Sequence, residues 1–546
     1  MLLIEGFNLK KYYGDRLIID VENIKIYSED RIGIVGLNGI GKTTFINLLC
    51  RKLEAEEGIV KTYGTISCIP QLENSELKTL DKELASKFKI EDSLKDYMSG
   101  GEKTKFKLAK SLEENSQIIF ADEPTSNLDM EAVKLLEKKF TEYKGALVII
   151  SHDREFLDVL CNKILELENG TIKFYAGNYT SYKQQKKMEQ ERAQFEYERY
   201  EKEKKNLEEA MYETKEKAKG MKKAPSRMGN SEARLHKMGN QKAKASLDSA
   251  VRNIKARLKH LEVKEKPKAM DKIKLDALST DRVYSRVLIS GTNINKAFGN
   301  KVIFKDAEFN LYNGSKVALI GPNGSGKSTL INMIINRDES LIISQGAKVG
   351  YFSQSLDILE EDLSVIENVM KESVYDETFA RTFLARLLFK REDVYKRVKM
   401  LSGGERVKAS LAKIFLKEIN LLILDEPTNY LDIYSMEALE EALKEYSRTI
   451  LFVSHDRRFV ESIADNIISI ENQKLISFNG AYNEYANKKT NCLEAYEEEK
   501  LKRIMVLENK LSELIGRLSV KNKKDDLEKL DMEYKDVLAE LKKLKN

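Results

Sequence analysis

The chain contains itself twice, and nothing else in it limits the possible folds so strongly. GLNGIGKTT (36–44) returns as GPNGSGKST (321–329) at an offset of 285. MSGGEK (98–103), ADEPTSNLD (121–129) and ISHDREF (150–156) return as LSGGER (401–406), LDEPTNYLD (424–432) and VSHDRRF (453–459), all at an offset of 303. Four motifs in one order, twice, require two copies of one domain. The offset is 283 at Gln71 and Gln354, so the second copy carries 20 more residues within 355–400, where the first has only the short connection 72–97. The expected division is a first domain over 1–181, a linker over 182–282, a second domain over 283–487 and a C-terminal extension over 488–546.

Each copy carries the chemistry of phosphate binding. Gly36–Thr43 and Gly321–Ser328 read G-x-x-x-x-G-K-[ST], between an apolar strand-like run (RIGIV, KVALI) and an apolar-periodic helix, an α/β arrangement. Glycines let backbone N–H groups wrap phosphates, and the helix N-terminus adds its dipole. The candidate contacts are Gly36, Asn38, Gly39, Gly41, Lys42, Thr43 and Thr44, and Gly321, Asn323, Gly324, Gly326, Lys327, Ser328 and Thr329. Lys42 and Lys327 suit the terminal phosphates of ATP, Thr43 and Ser328 a magnesium ion. IIFADE (118–123) and LLILDE (421–426) are apolar strands ending in two acids. Asp122 and Asp425 suit the magnesium, Glu123 and Glu426 the polarising of an attacking water, because phosphoryl transfer needs chiefly positioning and charge neutralisation. His152 and His455, two of only four histidines, follow apolar strands at equivalent positions and suit the end phosphate; a buried structural histidine is the alternative. His236 and His260 read as surface residues.

With Gln71 and Gln354, the SGGE runs, the DEPT runs and the SHD runs, both copies resemble the ATP-binding cassette ATPase domain. The resemblance implies two cassettes facing head to tail, each ATP lying between the Gly-rich loop of one and the SGGE run of the other. It adds Ser99, Gly100, Gly101 and Glu102, and Ser402, Gly403, Gly404 and Glu405, as nucleotide contacts, and Gln71 and Gln354 as nucleotide and magnesium ligands. Lys42, Glu123 and His152 would work with Ser402–Glu405, and Lys327, Glu426 and His455 with Ser99–Glu102. Tyr13 and Phe298, each just before a Gly, match the aromatic that stacks on adenine, or else are core residues. Met98, Ser126, Leu37 and Ile40 differ from their counterparts, yet no acid is missing, so two hydrolysing sites are expected, the first the slower.

Net charge becomes informative only when divided. The 546 residues carry 93 Lys or Arg against 88 Asp or Glu, a mere +5, but residues 183–270 hold 25 against 14, and 215–244 hold ten against two. The ten are Lys215, Lys217, Lys219, Lys222, Lys223, Arg227, Arg234, Lys237, Lys242 and Lys244. Such a patch attracts phosphate backbones, so these are candidate RNA contacts. Around it, Tyr197, Tyr200, Leu207 and Met211, then Leu247, Val251, Ile254, Leu258 and Leu261, lie on heptad-like faces that predict an antiparallel helical hairpin. KGMKKAPSRMGN (219–230) reads as the loop between the helices, with Ser231 capping the second. In the tail, Ile504, Leu507, Leu511, Leu514 and Leu518, then Leu527 to Leu544, predict a coiled-coil hairpin with its turn at 519–526. Its partner would be an RNA or another protein, or the protein itself.

Other function classes are disfavoured. The start has no signal-peptide pattern, and the apolar runs are strand-sized, which argues against a membrane span in this chain. Four scattered cysteines without a C-x-x-C pair fit neither a disulfide framework nor a metal site. Two cassettes, no membrane span and a long charged linker resemble the ABC-F translation factors. The stretch APSRMGNSEARLHK and the short 72–97 connection resemble the antibiotic-resistance subgroup of low-GC Gram-positive bacteria. The resemblance implies a cytoplasmic, ribosome-associated monomer. Its partner would be the 70S ribosome, through 23S rRNA and exit-site or peptidyl-site tRNA, with no membrane and no DNA. The implied activity is ATP-driven ribosome protection, with the linker tip near the peptidyl-transferase centre, against lincosamides, pleuromutilins and streptogramin A. A housekeeping ABC-F factor and the ATPase subunit of a drug exporter are the alternatives.

Overall fold

The computed structural model describes residues 1–69, 100–113, 116–126, 128–219, 230–264, 285–353, 358–390, 392–519 and 527–545. They form two compact units. The first holds the described residues of 1–75, 110–124 and 139–273, the second those of 76–109, 125–138 and 274–546.

In chain order the first repeat and linker give β1 (Leu2–Tyr13), β2 (Arg16–Tyr27), β3 (Arg31–Val35), α1 (Lys42–Leu49), β4 (Glu57–Thr62), β5 (Ile66–Ile69), α2 (Gly100–Glu113), β6 (Ile118–Asp122), α3 (Met130–Glu142), β7 (Ala146–Ile150), α4 (Arg154–Leu160), β8 (Lys163–Glu168), β9 (Thr171–Ala176), α5 (Tyr179–Lys219) and α6 (Asn230–His260). In the first unit an antiparallel sheet, β2-β1-β4, accompanies a six-stranded sheet of order β5-β6-β7-β3-β8-β9. Every pairing in the larger sheet is parallel except β8 with β9. β6 and β7 are buried along their whole length, which is why they read as unbroken apolar runs rather than alternating ones. Ile4 and Ile19 of the small sheet, Ile32, Phe120 and Val148 of the large one, and Phe45 of α1 join in one core. Only β7 separates β3 from β6. The phosphate loop after β3 and the acids ending β6 therefore emerge at the same edge, where α/β sheets place their ligands.

The second repeat follows the same plan: β10 (Val287–Phe298), β11 (Lys301–Tyr312), β12 (Lys316–Ile320), α7 (Lys327–Ile335), β13 (Leu341–Ile343), β14 (Val349–Phe352), α8 (Val365–Met370), α9 (Glu377–Arg386), α10 (Gly403–Phe415), β15 (Leu421–Asp425), α11 (Ile433–Glu445), β16 (Thr449–Val453), α12 (Arg457–Ile463), β17 (Asn466–Glu471), β18 (Lys474–Asn479), α13 (Tyr482–Ser519) and α14 (Leu527–Lys545). Its sheets run β11-β10-β13 and β14-β15-β16-β12-β17-β18. The longer 355–400 stretch of this copy folds in part as α8 and α9, each with an acid or hydroxyl cap: Ser364 and Glu367 make a reciprocal capping box, and Asp376 accepts from Phe379 N–H. Its counterpart, 72–97, lies outside the described residues.

α5 has 41 residues and α6 has 31, and they pack along each other. No proline falls within either helix, and i,i+4 pairs such as Arg192–Glu196 at 3.2 Å lace the exposed surface of α5. Lys264, beyond α6, returns to Glu196 at 3.6 Å. The predicted loop falls between Lys219 and Asn230, and its residues 220–229 are outside the described set. The second helix starts at Asn230, so Ser231 lies within its first turn instead of capping it. In the tail, Leu507 and Leu514 of α13 and Val537 and Leu541 of α14 form an apolar cluster with Leu511, and Arg503 pairs with Glu540 at 2.9 Å.

Candidate nucleotide-binding sites

The two Gly-rich loops are built alike. Gly41 and Gly326 cap α1 and α7 in the left-handed region, both at φ 111°. A Cβ there would stand 2.5 Å from Ile18 Cγ2 or 2.4 Å from Ile303 Cγ2, so only glycine fits. The lysines behind them are nearly buried and fold back into the loop. Lys42 Nζ donates to Gly36 O at 2.7 Å and more weakly to Leu37 O and Asn38 Oδ1; Lys327 Nζ donates to Gly321 O at 2.8 Å and Pro322 O at 3.0 Å. Burial holds the Lys327 ammonium below its ordinary range, against the opposing pull of the Glu426, Asp129 and Asp425 carboxyls. Each amine is thus held at the mouth of a ring of backbone dipoles, where a phosphate oxygen can take over the carbonyls' role.

Thr43 Oγ1 donates to Asp122 Oδ2 at 2.7 Å, and Ser328 donates to Asp425 in the second repeat. Burial raises both aspartates above the ordinary carboxyl range, and the hydroxyls partly offset it. A hydroxyl and a carboxylate are hard oxygen donors of the kind magnesium accepts, and two protein ligands leave room for phosphate oxygens and water. Among the described residues no group of three or more His, Cys, Asp or Glu could hold a metal by itself. Gln71 and Gln354 lie outside the described residues.

Glu123 and Glu426 follow their strands in the left-handed region, at φ 50° and 51°. That turn brings each side chain beneath the histidine of the next strand. His152 N–H donates to Glu123 Oε2 at 3.4 Å, and its Nε2 stands 3.3 Å from Oε1; His455 and Glu426 repeat this at 3.3 Å and 3.3 Å. Desolvation pushes Glu123 up to about 8 and Glu426 up to about 7. Burial, with Lys327 adding to it, lowers His455 to about 4, so its imidazole is neutral at pH 7. A carboxyl whose proton is so loosely committed near neutrality, beside a neutral imidazole, can serve as a general base toward water.

Tyr13 ends β1 and Phe298 ends β10, and they are 55% and 59% exposed. Exposure decides against a core role and leaves both rings open to stacking. In the signature run, Ser402 caps α10 and shares a reciprocal capping box with Glu405, whose Oε2 accepts from Ser402 N at 2.8 Å and Oγ at 2.7 Å. Those side chains organise the helix start, and Gly403 leaves open space beside it. Gly404 lies in the first turn of α10, and Gly100, Gly101 and Glu102 open α2 in the same way; Ser99 lies outside the described residues.

One residue absent from the expected set joins the second site. Asp129, which belongs to the second unit, accepts from Asn323 N–H of the Gly-rich loop at 3.3 Å, and its carboxyl sits below the ordinary range although burial opposes this. It lines a cavity of about 760 Å³ shared with Gly321, Lys327, His455 and Lys489. A signal for it exists in the repeat: the ADEPTSNLD and LDEPTNYLD runs both end in Asp, at 129 and 432.

Of the ten candidate RNA contacts, Lys215, Lys217 and Lys219 lie in the last turns of α5 and Lys244 lies on α6. Lys217 and Lys219 pair with Glu213 at 3.7 Å and Glu216 at 3.1 Å. Lys222, Lys223 and Arg227 are outside the described residues, as are the side chains of Arg234, Lys237 and Lys242 on α6. Among the described residues, no helix is long and apolar enough to cross a membrane.

Comparison with known proteins agrees with this geometry. A family profile described as ABC transporter matches residues 20–67 and 304–429, and a second of the same description matches 165–245. The erythromycin resistance ATP-binding protein MsrA of Staphylococcus epidermidis is 34% identical over 473 residues, covering 84% of this chain and 95% of that one. The ribosome protection protein VmlR of Bacillus subtilis is 32% identical over 556 residues, covering 98% and 97%. Among solved structures, the archaeal ribosome recycling factor aABCE1, in complex with the stalk protein aP1, shares the fold with a TM-score of 0.60 at 17% identity, covering 89% of this chain and 92% of that one. With two phosphate loops, two buried acid–histidine pairs and relatives matched over almost their whole length, the chain belongs to the ABC-F family of ATP-binding cassette ATPases.

Proposed function

We propose that the protein is an ATP-gated ribosome-protection factor of the cytoplasm, acting as a monomer on the 70S ribosome. The observation that carries this reading is the placement of charge: ten basic residues against two acidic ones in 215–244, where two long helices meet. A charge-mixed spacer would spread them evenly; a nucleic-acid contact concentrates them. MsrA and VmlR, by their names, act in erythromycin resistance and ribosome protection, which supports carrying the idea to this chain.

In this reading the domains are a cassette over 1–181, a linker over 182–282, a second cassette over 283–487 and an extension over 488–546. Lys42 and Lys327 bind the terminal phosphates, Tyr13 and Phe298 stack on the base, and the SGGE helix starts at 99–102 and 402–405 close over the nucleotide. Thr43 with Asp122, and Ser328 with Asp425, would hold magnesium together with Gln71 and Gln354; the ion supplies charge neutralisation at the phosphates. Glu123 and Glu426 take a proton from the attacking water, and His152 and His455 orient them. Binding of ATP closes the cassettes on the ribosome at the exit site, where the linker tip contacts 23S rRNA and peptidyl-site tRNA near the peptidyl-transferase centre. Hydrolysis reopens the cassettes and releases the complex.

The test is a Glu123→Gln plus Glu426→Gln protein, which should co-sediment with ribosomes in ATP; failure to do so rejects the mechanism. Gene deletion should raise sensitivity to lincosamides, pleuromutilins or streptogramin A, with erythromycin added to the panel because of the MsrA relative. Unchanged sensitivity to all four, with trapping retained, would favour a housekeeping ABC-F factor instead.

A further inference from the structure

The first turns of α5 are tied to the strand beside the phosphate loop. Glu166 on β8 is only 4% exposed and lies in register with Val35, the residue immediately before Gly36. Its carboxylate accepts from Tyr182 Oη at 2.8 Å, Lys186 Nζ at 2.6 Å and Tyr175 Oη at 3.2 Å. Tyr179 and Tyr182 are fully buried, and the Tyr175 and Tyr182 rings meet edge-on, with centroids 4.9 Å apart. Residues 179, 182 and 186 share one helical face, so the whole start of the helix is fixed, not one side chain. A carboxylate this deep depends on those donors.

The second repeat rebuilds the arrangement with the acid in a different place. Tyr482, Tyr485 and Lys489 stand 303 residues after Tyr179, Tyr182 and Lys186, and Phe478 stands 303 after Tyr175. At the position of Glu166 the chain has Ser469, in register with Ile320, the residue before Gly321. The acid is Glu471, two residues further on the same strand and so on the same face. It accepts from Tyr485 Oη at 2.9 Å and Ser469 Oγ at 3.3 Å, and pairs with Lys489 at 3.3 Å. The residues differ while the connection is kept, as a positional requirement would leave them.

We infer that Glu166, Tyr182 and Lys186, and in the second repeat Glu471, Tyr485 and Lys489, are positioning residues that bolt each departing helix to the strand paired beside the one that feeds its phosphate loop. Through the first anchor the state of the Gly-rich loop sets the direction of α5. Its 41 residues make a lever ~60 Å long, so a rotation of about 5° at the root carries the far end about 5 Å. The meaning of that motion rests on the proposed ribosome reading, but the anchor itself is testable without ribosomes.

The experiment uses the full-length protein with two dyes on non-canonical amino acids, one at exposed Ile59 and one at exposed Lys205. Single-molecule energy transfer then reports the direction of α5 within the first unit. The wild type should give one narrow distance distribution. Glu166→Gln with Lys186→Met removes the ion pair without stranding a buried charge, and with Tyr182→Phe it should broaden that distribution at least twofold. ATP affinity should stay within threefold and Tm within a few degrees. A distribution as narrow as the wild type's overturns the anchor. If the variant instead loses ATP binding or its fold, Lys186→Arg alone decides: it keeps the cation, so it must retain the narrow distribution, and broadening there overturns the proposal too. Absence of ribosome binding by the wild-type protein would reject the proposed function and leave this result standing.

Discussion

His455 Nε2 stands 3.3 Å from Glu426 Oε1 without a hydrogen bond to it, while the backbone N–H of the same histidine donates to Oε2 at 3.3 Å, so the histidine's backbone grips one oxygen of a buried acid. Glu426 nonetheless stays at about 7, because desolvation outweighs that grip. In the unfolded chain the same acid titrates near 4.5. Below pH 4.5 both states hold the proton and the group costs nothing. As pH rises through the window from 4.5 to about 7 the unfolded state ionises first, so folding stability falls, by on the order of 3 kcal/mol once the native group also ionises. Glu426→Gln removes that cost. The variant should melt higher than the wild type at pH 8, and the gain should shrink to nothing near pH 4.5; a gain that does not depend on pH would contradict the buried-acid account.

Activity should show the opposite slope. A base must be ionised to accept a proton from water, so kcat/KM for ATP should rise between pH 6 and 8.5 as Glu426 and then Glu123, at about 7 and about 8, lose their protons. Glu426→Gln should leave a residual profile displaced toward the higher value. Steady-state phosphate release across pH, for wild type and each single variant, checks this.

Tyr13 and Phe298 give a case where binding and stability separate. Both rings are more than half exposed, so Phe298→Ala should leave Tm within a degree or two. Loss of base stacking is worth ~1–3 kcal/mol, which corresponds to a roughly 5- to 150-fold weaker ATP affinity at that site. Nucleotide titration by fluorescence, with a melt on the same sample, measures both.

Gly326→Ala should act on the phosphate loop directly. The added Cβ would meet Ile303 Cγ2 at 2.4 Å in a conformation that L-residues rarely adopt. We expect ATP binding at the second site to fall at least tenfold, while the first keeps its affinity; equal loss at both sites would point to general unfolding.

The C-terminal helices should behave as a separable module. Leu514 is 3% exposed within the cluster that joins α13 to α14. Leu514→Ala should cost ~2–3 kcal/mol of that packing, increase hydrogen exchange in 527–545, and leave basal ATPase unchanged.

The repeat makes most of the site legible in the amino-acid sequence: the phosphate loops, the strand-end acids and the histidines are each fixed by local residues. Geometry is needed where a role depends on neighbours distant in the chain. Tyr13 fits a core or a surface position equally well by pattern, and its exposure decides. Asp129 ends a repeated motif, but its contact with Asn323 N–H spans 194 residues and leaves no local trace. Tyr182 reads as one more aromatic at helical spacing, and Glu166 as one more acid in a strand, until β8 brings them together. The start of α6 lies two residues before the one that a Ser231 cap would give, within the ordinary spread of helix ends.

The left-handed turn at Glu123 and Glu426 also acts as a filter on what these two positions can become. Only glycine adopts φ near 50° freely, with Asn and Asp next, while β-branched side chains meet a steric penalty there. Val, Ile and Thr are therefore excluded from both positions by the backbone, before any demand of chemistry is considered. Gln keeps the side chain's shape and differs from Glu by one atom. Inactivated descendants of such a cassette should accordingly collect Gln, Asn, Asp or Gly at this turn, and a variant library selected for folding alone should return the same short list.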